Sequence, residues 1–131
     1  MHRVLISLAS NDHQAEHLHQ ARKALGQILS SPRYTEEIWT DPVGKSSAEG
    51  VLYLNQLVQA DTLLDSDELN QRLKDIEKAL GRTDSSRLQG LVPIDLDLLQ
   101  HDDKRFHLRD WQRSYVRNLL VKLCNEPEEG D

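Results

Sequence analysis

The sequence predicts an α+β fold: an antiparallel sheet with helices packed on it, and one further helix closing the chain. Three observations predict it. Four segments carry the apolar alternation or β-forming composition of strands, three carry apolar residues at helical spacing, and the two kinds follow one another as strand, helix, strand, strand, helix, strand, helix. A length of 131 residues suits one domain, expected over residues 1–124, with an acidic, disordered tail over 125–131.

His2–Ala9 reads as the first strand, with Val4, Ile6 and Leu8 on one parity and Leu5 on the other, as in a central strand covered on both faces. Asn11 or Asp12 can cap a helix over about 14–29, whose stripe is Leu18, Ala21, Leu25, Ile28 and Leu29. Ser30-Ser31-Pro32 breaks that helix, and Tyr34–Thr40 is rich in β-formers. Asp41–Gly50 has turn chemistry throughout, and Val51–Ala60 resumes as a third strand, giving a hairpin with a long connection. Asp65–Gly81 is the clearest helix. Asp65 caps it, Glu68 completes a capping box, Leu69, Leu73, Ile76 and Leu80 form the buried stripe, and Gly81 suits the position just past its end. Thr83–Pro93 is then a polar loop, and Ile94–Leu98 alternates strictly as the fourth strand. Asp110 can cap a last helix to about Leu123, with Trp111, Tyr115 and Leu119 on one side. With right-handed crossovers, the βαββαβ series is the ferredoxin-like plan.

Composition excludes several classes. Hydrophobic residues are 37% and charged residues 29%, and no apolar run approaches the 18 or so residues that cross a bilayer. The apolar stretch near Met1 is too short for a signal peptide, so secretion is not expected. One cysteine, Cys124, cannot form an internal disulfide, which fits a cytoplasmic protein; as a small apolar residue on a helix it is expected to be buried. A formal charge of −6 argues against a nucleic-acid partner. Four of those six excess charges come from Glu126, Glu128, Glu129 and Asp131 in the tail, whereas residues 82–117 hold seven bases against six acids. That third of the chain can present a local site for a small anion.

Within it lie the residues that can carry chemistry. Asp95 and Asp97, two apart on a strand, leave the same face about 7 Å apart and offer hard oxygen ligands to Mg²⁺ beside a nucleotide's phosphates. Tyr53 and Asn55 share a parity on the third strand, an aromatic face beside an amide, which suits a planar heterocycle. Glu77 and Arg82 flank the end of the second helix. Arg109, Arg113 and Arg117, spaced by four, would form a basic stripe on the last helix, with His107 just before it. Taken singly, each is also what a solvated sheet or helix face carries. No Walker loop, Gly-x-Gly-x-x-Gly or Cys/His metal motif accompanies them.

Taken together and in order, Ala9-Ser10-Asn11, Thr40-Asp41-Pro42-Val43-Gly44, Tyr53-Leu54-Asn55, Ile76-Glu77-Lys78-Ala79-Leu80-Gly81-Arg82, Ile94-Asp95-Leu96-Asp97-Leu98-Leu99, and His107 with Arg113 resemble the 6-hydroxymethyl-7,8-dihydropterin pyrophosphokinase family. The resemblance runs to about Tyr115. It implies a ferredoxin-like α/β/α sandwich and Mg²⁺-dependent transfer of diphosphate from ATP to the pterin's hydroxymethyl group, a step of folate biosynthesis. It implies that Asp95 and Asp97 bind two Mg²⁺, that Val43, Tyr53, Asn55 and Tyr115 hold the pterin, and that Glu77, Arg82, Arg87, His107 and Arg113 serve ATP. Arg82, Asp95, Asp97, His107 and Arg113 would be the catalytic set. A monomer acting on small molecules alone is expected. Where members usually carry Trp-Gly-Pro-Arg-Thr this chain has Gln89-Gly90-Leu91-Val92-Pro93, and Asp84 stands at a commonly basic position, with Arg87 nearby. A relative that has lost turnover and binds ATP or a pterin as a sensor or partner subunit is therefore the alternative, and a ferredoxin-like interaction module with no site is a third.

Overall fold

A computed structural model of the chain describes residues 1–42 and 51–125. The order of elements is β1 (His2–Ser10), α1 (Gln14–Leu25), β2 (Ser30–Tyr34), β3 (Ile38–Thr40), β4 (Tyr53–Thr62), α2 (Ser66–Ala79), α3 (Asp84–Leu88), β5 (Asp95–His101), β6 (Lys104–Arg105), a 3₁₀ turn (Asp110–Gln112) and α4 (Ser114–Asn125). One antiparallel sheet runs β2-β4-β1-β5-β6, with β3 also paired to β4. Counting β2 and β3 as one interrupted strand, the sequence order is βαββαβ and the central strand is β1, the ferredoxin-like arrangement.

Alternation along β1 explains the layers. Val4, Ile6 and Leu8 pack with Leu54, Val58, Leu96 and Leu98 against Leu18, Ala21 and Leu25 of α1 and Leu69 and Leu73 of α2. Leu5, Leu57 and Leu99 face the other way and are covered by Tyr115, Val116, Leu119 and Leu123 of α4. The sheet is therefore enclosed on both faces, and β1 is apolar on both parities for that reason.

Several boundaries differ from expectation. Helix α1 stops at Leu25, not near residue 29, because Gly26 begins a tightened turn in which Gln27 and Ile28 donate to Ala24 and Leu25; Leu29 still reaches the core from that turn. Ser30–Tyr34 is a strand where Ser-Ser-Pro suggested only a break. β2 lies at the sheet edge, where Pro32's missing N–H is tolerated, and Ser31 at φ 50° marks a register shift. The strand expected over 34–40 is interrupted at Thr35, whose hydroxyl accepts from Leu57 N at 3.0 Å in place of a backbone carbonyl. The polar loop after α2 contains α3, capped reciprocally by Thr83 and Ser86. The last helix begins at Ser114, since Arg113 is extended (ψ 136°) and separates it from the 3₁₀ turn. Cys124 is exposed rather than buried: it follows Leu123, which takes the core position on α4.

Candidate active site

The register across three strands builds the floor. Ala9 of β1 lies between Asn55 of β4 and Asp95 of β5, and Ser7 lies between Leu57 and Asp97 one row along. The small side chain of Ala9 leaves open space between an amide on one neighbour and a carboxylate on the other. Leu99, two residues past Asp97, shares the face of the two aspartates by alternation and lies under α4.

Helix α2 supplies the wall. Its capping box fixes the start, with Asp65 accepting from Glu68 N, and Gly81 at φ +108° turns the chain sharply after its end. That turn brings Arg82 onto β5, where its Nη1 donates to Asp95 Oδ1 at 2.9 Å and lies 3.0 Å from Glu77 Oε2. Glu77, only 13% exposed, also accepts from Leu96 N at 2.8 Å. Burial raises the Glu77 carboxyl above its ordinary range, against the Leu96 bond and Arg82.

Two cavities meet at this wall. The smaller, about 250 Å³, is lined by Tyr53, Asn55, Val92, Arg113 and Tyr115; the larger, about 620 Å³, by Lys74, Glu77, Lys78, Arg87 and His107. Arg82, Asp95 and Asp97 line both. The smaller is the aromatic and amide chamber. Asn55 is buried and its Nδ2 donates to Ile38 O and Thr40 Oγ1, while Oδ1 has no partner among the described residues. Burial raises the Tyr53 and Tyr115 hydroxyls, and Arg113 lies 4.5 Å from the Tyr115 ring centre. The larger chamber is cationic on one side, with Lys74, Lys78, Arg82 and Arg87.

Asp97 is the most perturbed group. Burial, and then the charges of Asp95, Asp110 and Glu77, raise it from 3.8 to about 7. Carboxylates crowded in this way form a donor set suited to a hard divalent cation, so the residues fit Mg²⁺. His107 Nε2 lies 3.9 Å from Asp97 Oδ1, and one ligand atom from each of Asp97, His107 and Asp110 falls within 4.8 Å of the others.

The structure thus brings together Tyr53, Asn55, Glu77, Arg82, Arg87, Asp95, Asp97, His107, Arg113 and Tyr115. Val43 lies outside the described residues. One expectation needs correction. No arginine stripe forms: Arg109 precedes the 3₁₀ turn, Arg113 is extended, and Arg117 is exposed on α4, away from both cavities. Arg113 lines the aromatic chamber and not the cationic one. Lys74, Lys78 and Asp110 were not anticipated. The first two lie with Glu77 at helical spacing along α2, a signal the sequence did carry, whereas Asp110 read only as a cap.

Fold and site together define an α+β protein with a two-chambered polar cleft walled by paired aspartates. Residues 5–125 match the family model described as 7,8-dihydro-6-hydroxymethylpterin-pyrophosphokinase, and the chain belongs to this family. It is 34% identical over 140 residues to the mitochondrial folate synthesis bifunctional protein of Pisum sativum, covering 98% of this chain and 26% of that one. Its counterpart in Arabidopsis thaliana is 32% identical, covering 99% and 25%. The folate synthesis bifunctional protein of Chlamydia trachomatis is 29% identical, covering 92% and 30%. The chain spans between a quarter and a third of the length of these relatives.

Proposed function

We propose that this chain transfers diphosphate from ATP to the hydroxymethyl oxygen of 6-hydroxymethyl-7,8-dihydropterin in folate biosynthesis. Family membership supports the reaction class. The observation that carries the substrate reading is the wall shared by two chambers of different chemistry, one aromatic with an amide, the other cationic.

In this reading Tyr53 and Tyr115 sandwich the pterin ring and Asn55 Oδ1 accepts from its edge, with Ile38 O and Thr40 Oγ1 of β3 holding the amide in place. Lys74, Lys78, Arg87 and His107 hold the nucleotide's phosphates. The pterin hydroxyl oxygen forms a bond to the β-phosphorus, the bond from that phosphorus to the α,β-bridging oxygen breaks, the hydroxyl proton leaves to solvent, and AMP departs. Arg82, on the wall shared by the two chambers, and Arg113, on the aromatic chamber beside it, stabilise the charge that develops in the transition state. Mg²⁺ held by Asp95 and Asp97, two ions in this reading, neutralises phosphate charge when bound. The cleft does the rest by holding the two reactants in line.

Incubation with ATP, Mg²⁺ and the pterin is expected to yield AMP, at a rate lowered at least about 100-fold by Asp95→Ala or Asp97→Ala. AMP formation no faster than in those variants overturns catalysis. A second reading is favoured by one feature: Val92, which by the resemblance stands where the family's loop carries an arginine, lines the aromatic chamber. A chain that has lost turnover would bind ATP or the pterin by calorimetry while releasing no AMP.

A further inference from the structure

The same strands carry a second ligand cluster at their other end. His101 ends β5, Asp102 follows it in the turn to β6, and His2 begins β1, whose Val4 is registered with His101. Asp97 is four residues back along β5, so His101 lies about 13 Å along the strand from it. One ligand atom from each of His2, His101 and Asp102 lies within 4.8 Å of the others.

Asp102 and His101 are held by bonds made through atoms other than Oδ2 and Nδ1, whereas His2 is held by its Nδ1 on Asp102 itself. Asp102 adopts φ 52°, its N–H donates to Arg3 O at 2.8 Å, and its Oδ1 accepts from Arg3 N at 3.0 Å. That leaves Oδ2 aimed at the histidines, 2.6 Å from His2 Nδ1 and 3.9 Å from His101 Nδ1. His101 Nε2 lies 3.0 Å from Leu64 O. A carbonyl only accepts, so Nε2 carries the hydrogen and the neutral ring keeps a bare lone pair on Nδ1, facing Asp102. A backbone carbonyl fixing the tautomer of an imidazole in this way is the usual outer support of a metal-ligating histidine. The two rings lie 4.5 Å apart at 38°, His101 mostly buried and His2 partly exposed, so the remaining coordination positions open to solvent.

We propose that His2, His101 and Asp102 bind one divalent transition-metal ion of the Zn²⁺ class. Two imidazoles and one carboxylate select a borderline cation over Mg²⁺ or Ca²⁺. Ligand atoms on a tetrahedral Zn²⁺ lie roughly 3.3 Å apart, between the two observed separations, and the ion replaces the hydrogen that His2 Nδ1 now donates to Asp102. Residues 2, 101 and 102 meet only in the folded chain, so the ion ties the start of β1 to the β5–β6 turn and stabilises the native state by mass action. The inference does not depend on what the cleft binds.

Untagged protein in saturating Mg²⁺ is titrated with Co²⁺, followed by its visible absorption, and with Zn²⁺ by calorimetry and thermal unfolding. One equivalent is expected, with a raised Tm. His2→Ala and His101→Ala are each expected to weaken binding at least tenfold, and Asp97→Asn is expected to leave it intact. His2→Ala keeps the test decisive if the buried His101 is needed for folding. No Co²⁺ band in the wild type, a band undiminished in His2→Ala, or a band lost in Asp97→Asn overturns the site.

Discussion

Asp97 owes its behaviour to its neighbours more than to its own chemistry. Burial disfavours its charge, and Asp95, Asp110 and Glu77 add repulsion that Arg82 offsets only in part. In cation-free protein the folded chain thus holds the Asp97 proton up to about pH 7, while the unfolded chain releases it near 3.8. The folded state binds more protons across that interval, so the contribution of this group to stability is full below about pH 4 and is lost as pH rises through about 7. Urea unfolding in EDTA is expected to show that decline, and Asp97→Asn is expected to flatten it; equal slopes in the two proteins would remove the crowding. The Asp95 and Asp97 pair was legible in the sequence because a two-residue spacing on a strand fixes a shared face. Asp110 was not, because its approach to Asp97 depends on the extended Arg113 and the 3₁₀ turn, neither of which leaves a periodic trace.

At the scale of elements, the segment after α2 is fastened to the end of β1 chiefly through Asn11. Asn11 N donates to Val92 O, its Nδ2 to Gly90 O, and its Oδ1 accepts from Val92 N at 2.6 Å. Asn11→Ala removes two of these three bonds and is expected to cost about 1–3 kcal/mol, with faster amide exchange confined to residues 84–92. Protection unchanged in that segment would mean that α3 is held by other contacts. In the sequence Asn11 presented itself as a helix cap, and its real partners are 79 and 81 residues away. The same contrast separates what periodicity reveals from what it hides. Helix α2 was readable from Asp65 to Gly81 because stripe, capping box and terminal glycine agree locally. The ends of α1 and the split between β2 and β3 were not, since Gly26, Ser31 and Thr35 act through turn geometry and cross-strand bonding.

For the whole molecule, two apolar layers on one sheet make α4 a structural necessity as well as a cavity wall. Leu119 is buried between α4 and the Leu5, Leu57 and Leu99 face, and Leu119→Ala is expected to destabilise the protein by about 2–5 kcal/mol, measured as a lowered urea midpoint at unchanged slope. A midpoint moved by less than the equivalent of about 1 kcal/mol would mean that the layer is loosely packed. The partition between the chambers has a thermodynamic corollary. Arg82, Asp95 and Asp97 belong to both, so an occupant of one compartment changes the charge and the side-chain freedom met by an occupant of the other. By linkage, whatever factor the first guest contributes to the affinity of the second, the second must return to the first, whichever arrives earlier.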